Sequence, residues 1–128
     1  GRIAAVLDWE LCTLGDPLAD VGYVLNNWAQ PGETGPGGRG AAISPTLAGG
    51  FPDRGEFLER YAKLTGRDVG HIDYYRAFQY WRLAAIVEGV LSRYLKGVMG
   101  ARPDTRVFGE QVELMARTAL DLLKALPE

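Results

Sequence analysis

The stretch Arg2-Ile3-Ala4-Ala5-Val6-Leu7-Asp8-Trp9-Glu10-Leu11-Cys12-Thr13-Leu14-Gly15-Asp16-Pro17-Leu18-Ala19-Asp20-Val21-Gly22-Tyr23 decides how this chain is read. Its first part is a short apolar run with β-branched residues, bounded by Gly1 and by the charged Asp8 and Glu10. Length and composition favour a strand over a helix. Ile3, Ala5 and Leu7 would fall on one face, Ala4 and Val6 on the other, so the strand expects cover on both sides. No second convincing strand follows, and one strand cannot fill its own ladder. The partner is therefore outside these residues. The chain reads as a fragment, and pairing with the strand of a second copy, a homodimer, is one expectation.

A loop follows and ends in a helix start. Asp16 is a good N-cap, Pro17 suits the first turn, and Asp20 lies near the positive end of the helix dipole. The helix is expected over 17–29, with Leu18, Val21, Val24, Leu25 and Trp28 on its buried face. Residues 30–52 are crowded with glycine and proline and predict a long flexible loop without regular structure. Asp53 and Glu56 form a capping-box-like start for a helix over 53–65, stopped by Gly66. A third helix is expected over 72–96, apolar around most of its circumference, as for a central buried element. A fourth runs over 104–126, with Phe108, Val112, Met115, Ala119, Leu122 and Leu126 as its core stripe and Glu113–Arg117 and Arg117–Asp121 as exposed pairs. The expected fold is mainly α: four helices plus one N-terminal β-strand.

With 128 residues, 47% of them apolar and 23% charged, the chain is composed to fold around a core. Fourteen basic against sixteen acidic side chains give a net charge of −2, which argues against a footprint for nucleic acid or for an anionic membrane. A single Cys (Cys12) forbids an internal disulfide, and with a single His (His71) it leaves no structural zinc set. No apolar run approaches 18 residues, and no signal-peptide layout is present. A cytoplasmic location is expected.

The chemistry concentrates at Asp8, where an apolar run meets a loop. Position alone leaves two readings open: an Asp capping a turn, or a ligand for a hard cation such as Mg²⁺, which takes one or two carboxylates together with substrate phosphates. Spacing nominates no second ligand.

The pattern Leu7-Asp8-Trp9-Glu10, then Gly15-Asp16-Pro17, Asp20 and Tyr23, resembles the aminoglycoside phosphotransferase family of kinase-like enzymes. More narrowly, it is similar to the branch containing the kinase-like region of acyl-CoA dehydrogenase fusion proteins. The stretch Tyr74-Tyr75, Phe78 and Trp81-Arg82-Leu83-Ala84 also resembles that branch. The resemblance covers all 128 residues and implies the C-terminal part of the larger, helical lobe (C-lobe) of a protein-kinase-like fold. It implies an ATP- and Mg²⁺-dependent transfer of phosphate to a small-molecule hydroxyl. Asp8 would hold Mg²⁺ against the nucleotide's phosphates. Glu10 would reach either the metal's outer shell or a loop amide. Asp16 and Asp20 would be structural supports, a role compatible with plain capping. The family's catalytic base and second metal ligand, in a His-Gly-Asp sequence and an Asn, would precede Gly1. No catalytic residue is therefore assigned within these residues, and the isolated fragment is expected to be inactive. The alternative is a non-catalytic helical scaffold or interaction module on the same fold.

The remaining candidates are weaker. His71 reads as a cap or surface histidine, and Cys12 as a small loop residue without a basic neighbour. Tyr74, Tyr75, Tyr80 and Trp81 read first as core packing, with an acceptor cleft as the second reading. Arg82 and Arg93 are salt-bridge partners or contacts for an anionic acceptor. Gly35–Gly40 is not a P-loop, because the Lys-Ser/Thr ending is missing.

Overall fold

The computed structural model describes residues 2–33, 44–100 and 104–127. The first helix, α1, spans Leu18–Asn27. Asp16 starts it, its Oδ1 accepting from the Leu18 amide at 2.9 Å. Helix α2 spans Arg54–Thr65 and opens with a complete capping box: Asp53 accepts from the Glu56 amide while Glu56 accepts from the Asp53 amide. Gly66 ends it in the left-handed region, at φ 70°, which a residue without a β-carbon adopts freely. Helix α3 spans Ile72–Leu95, and α4 spans Thr105–Lys124 behind an Asp104 cap. Two short 3₁₀ turns complete the described elements, at Trp9–Leu11 and Pro45–Ala48.

Helix α3 is the common partner, packing along α4 and crossing α1. Its N-terminal end shares a cluster with α1, formed by Leu18, Val21, Leu25 and Ile72. Phe57, Leu58 and Tyr61 of α2 lean on that cluster without being fully buried. Farther along α3, Tyr80 and Ala84 meet Met115 and Ala119 of α4, flanked by Val112 and Leu122. The stripe expected on α4 thus faces α3, and Phe108 stacks against Tyr94 at 5.5 Å between ring centroids.

Polar groups lock the α1–α3 crossing. The Asn26 amide donates to the Arg76 carbonyl at 2.9 Å, and the Gln79 amide donates to the Ala19 carbonyl at 2.9 Å. Both side chains are buried, and both are satisfied, as burial of an amide requires. Arg54 reaches from α2 to the Leu25 carbonyl in the last turn of α1 and pairs with Glu33.

The structure departs from expectation in several places, one of them Val24, expected on the buried face of α1 and 40% exposed. Residues 2–7 form no strand: among the described residues there is no strand at all, so no ladder exists to hold that run extended. Its apolar side chains stay in solvent, with Ile3 at 89% and Leu7 at 80% exposure. The expected flexible loop 30–52 has structure over 44–52. There Ser44 and Thr46 donate to the Asn27 and Ala29 carbonyls, and the Trp28 indole donates to the Pro52 carbonyl. The part of that loop at 34–43 lies outside the described residues. Helix α3 is not buried all round; Tyr74, Phe78, Trp81 and Ile86 are exposed, because its neighbours cover only the faces toward α1 and α4. Among the described residues, no helix is long and apolar enough to cross a membrane.

Candidate functional site

Asp8 has φ 71° and ψ 48°, and it is the only non-glycine residue with positive φ among the described residues. Asp tolerates the left-handed region better than most side chains, yet the conformation still costs on the order of 1 kcal/mol and recurs at functional sites. The turn that fixes it is local. The Trp9 indole Nε1 donates to the Val6 carbonyl at 2.8 Å, and the Cys12 amide donates to the Trp9 carbonyl at 3.0 Å. The Trp9 bond thus closes the turn, and Asp8 stands exposed on it. That carboxylate does not cap the turn it begins, and among the described residues it has no hydrogen-bond or ion-pair partner.

Glu10, two residues after Asp8 in the 3₁₀ turn, is exposed. Asp20 is exposed in the first turn of α1, where its charge complements the helix dipole. Among the described residues, no three His, Cys, Asp or Glu side chains gather as a metal cage. The structure thus leaves Asp8, Glu10 and Asp20 as separate carboxylates along one segment.

Asp16 is placed differently. While Oδ1 caps α1, its Oδ2 accepts from the Tyr75 hydroxyl at 2.6 Å, across 59 residues of sequence. The Tyr75 hydroxyl, and after it the Leu18 amide, hold the Asp16 carboxyl below the ordinary carboxylate value. The same bond raises the Tyr75 phenol. Sequence reading had Tyr75 as a core or cleft aromatic and missed this contact. The buried Asn26 was missed too, although its position was a signal: residues 18, 21, 22, 25 and 26 recur at the spacing of one buried helical stripe.

The other sequence candidates are surface groups. His71 stands exposed at the N-cap position of α3 without capping it by its side chain, and Cys12 is an exposed free thiol. Arg82 bonds to the Gln79 side chain at 3.0 Å; Arg93 forms no ion pair among the described residues. Of the four aromatic residues expected to pack the core, Tyr80 is buried, whereas Trp81 is 61% exposed. Trp81, Phe78 and Tyr74 line an apolar groove of about 330 Å³ between α3 and α4, closed on the other side by Leu120 and Leu123.

The chain belongs to the phosphotransferase enzyme family, whose model matches residues 1–68, more than half of its length. Its relatives extend the likeness to the remaining helices. It is 32% identical over 127 residues to acyl-CoA dehydrogenase family member 11 of Gallus gallus, an alignment covering 98% of this chain and 16% of that protein. It is 36% identical over 121 residues to acyl-CoA dehydrogenase family member 10 of Mus musculus, covering 94% of this chain and 11% of that protein. A probable acyl-CoA dehydrogenase of Arabidopsis thaliana, IBR3, is 30% identical over 133 residues, covering 99% of this chain and 16% of that protein. The chain therefore spans about a sixth or less of the length of the curated relatives it matches. The family and branch agree with the resemblance expected from the sequence. No solved structure matches the chain.

Proposed function

We propose that this chain is a helical part of an ATP- and Mg²⁺-dependent phosphotransferase that moves the γ-phosphate to a hydroxyl group of a small molecule. The observation that carries the reading is Asp8, a solvent-facing carboxylate without a partner among the described residues, held in a left-handed turn within a segment matched by the family model. The donor chemistry fits the metal. Mg²⁺ prefers oxygen ligands and is held by one or two carboxylates plus substrate phosphates, so a lone exposed carboxylate suits it better than a closed cage would. Bound there, the ion would neutralise charge on the β- and γ-phosphates during transfer.

The chain's own residues do the positioning. Asp8 would hold the ion, with Glu10 close enough in sequence to reach its water shell. Trp9 holds the turn by its bond to Val6. Asp16 anchors the end of the loop on α1. The acceptor would be bound by the helices and the 30–52 segment.

The test uses the full-length protein that contains these residues, assayed with γ-labelled ATP and Mg²⁺. Asp8→Asn keeps the size of the side chain and tolerates a left-handed backbone, so the fold should survive. Turnover is expected to fall by about a hundredfold or more with the loss of a metal ligand. Unaltered Mg²⁺-dependent turnover in Asp8→Asn would remove the reading. Absence of any heat or thermal shift with Mg²⁺ and ATP in the unsubstituted protein would leave the scaffold alternative in its place.

A further inference from the structure

Residues 2–15 make no hydrogen bond to any helix among the described residues; their recorded bonds, Trp9 to Val6 and Cys12 to Trp9, are internal. The segment meets the helical body at Asp16. One oxygen of Asp16 is enough to cap α1, and Oδ1 does that. The other oxygen is spent on Tyr75, a residue of α3 rather than of the helix being capped.

Tyr75 is held firmly for this contact. Its backbone lies at the crossing with α1, where Gly22 comes so close that a β-carbon would stand 2.9 Å from the Tyr75 carbonyl carbon. Its ring packs against the Leu18–Val21–Leu25–Ile72 cluster and meets the Tyr74 ring edge-on at 5.5 Å. The base of the ring is anchored by the helix crossing, and the hydroxyl reaches Asp16 at the surface from that anchored position. A hydrogen bond to a carboxylate from such a fixed donor restrains the loop more than one from a mobile side chain would.

We infer that Tyr75 is a positioning residue for the metal loop: by gripping Asp16 it fixes where Asp8 is presented relative to the helical body. The inference rests on the reading of Asp8 given above and adds a role for a side chain remote from it in sequence. Tyr75 would touch neither metal nor nucleotide; it would act through Asp16.

Tyr75→Phe deletes the hydroxyl and keeps the packed ring. In the full-length protein, titration calorimetry with ATP in the presence of Mg²⁺ is expected to show a dissociation constant raised about fivefold, the worth of one net hydrogen bond. With the metal removed by EDTA, ATP affinity should equal that of the unsubstituted protein, because a positioning role acts through the metal. A structural role would instead weaken both affinities and lower the melting temperature. Tyr74→Phe serves as the control, removing a neighbouring hydroxyl that has no recorded hydrogen bond. Equal weakening with and without Mg²⁺, or no weakening, would overturn the inference. Asp8→Asn separates the two levels. If it keeps the Mg²⁺-dependent gain in affinity, the reading of Asp8 fails and this inference with it. If Asp8→Asn loses that gain while Tyr75→Phe retains it, only the role of Tyr75 fails.

Discussion

Gly22 of α1 faces the backbone of Tyr75 in α3, and a β-carbon at residue 22 would lie 2.9 Å from the Tyr75 carbonyl carbon and 3.0 Å from its oxygen. The obstacle is backbone at the crossing of two helices, so it cannot rotate away.

Gly22→Ala should therefore destabilise the crossing. Better helix propensity contributes about 1 kcal/mol in favour of Ala, whereas forcing packed elements apart costs about 2–3 kcal/mol. A net loss of about 1–2 kcal/mol is expected. Gly89 in α3 is the counterexample, with nothing within 4 Å of a built β-carbon; Gly89→Ala should stabilise by about 0.5–1 kcal/mol. Hydrogen exchange of α1 and α3 amides in the full-length protein reads both changes. Slower exchange in Gly22→Ala would contradict the assigned contact.

The Asp16–Tyr75 bond has a defined pH window. The folded-state pKa of Asp16 is lowered, first by the Tyr75 hydroxyl and then by the Leu18 amide. Its stabilisation is complete above the unfolded value of about 3.9 and is lost as pH falls through the folded value. Tyr75 is raised, chiefly by its bond to Asp16, so its share is complete below about pH 10 and is lost as pH climbs through the folded value. The bond should persist from about pH 4 to pH 10. Carboxyl NMR should place the Asp16 midpoint below that of a free aspartate, and Tyr75→Phe should move it upward. An Asp16 midpoint insensitive to Tyr75→Phe would contradict the bond.

Trp28 organises the segment 44–52. Its indole donates to the Pro52 carbonyl at 2.9 Å, and its ring contacts Phe51 and Phe57 at centroid distances of 5.5 and 5.0 Å. Trp28→Leu removes the donor and both aromatic contacts, for an expected local cost of about 2 kcal/mol. The Leu47 amide, bonded to the Ser44 carbonyl at 3.0 Å, should then exchange faster. Unchanged protection of Leu47 would mean that Ser44 and Thr46 hold the segment without Trp28.

What was legible in the sequence was chiefly local. Asp16 before Pro17, Asp53 with Glu56, and Gly66 mark helix ends through bonds between near neighbours, and the structure makes those bonds. The α4 stripe was legible because one partner covers one face. Illegible features depend on remote neighbours. Residues 2–7 have the composition of a strand, but a ladder needs a second chain segment that no pattern within the run can supply. The uniformly apolar α3 says which faces could be covered, not which are, so Tyr74 and Trp81 read first as core yet stand exposed. The 44–52 segment is ordered by Trp28 and by carbonyls at the end of α1, none of which its own glycines and prolines announce. For the candidate site, motif reading pointed to Asp8 and Asp16. The grip of Tyr75 on Asp16 is a tertiary fact, with 59 residues between donor and acceptor.

The two buried amide contacts between α1 and α3 have a mechanical consequence. Gln79 holds the Ala19 carbonyl and Asn26 holds the Arg76 carbonyl. Along α1 these fastenings are seven residues apart, about 10 Å at 1.5 Å per residue. A single tie would leave the helices free to pivot about it; two at that separation oppose both pivoting and sliding. Helices α1 and α3 are therefore tied at two points rather than one. Residues 2–15 lie beyond those ties, so the turn that carries Asp8 joins the pair only through Asp16.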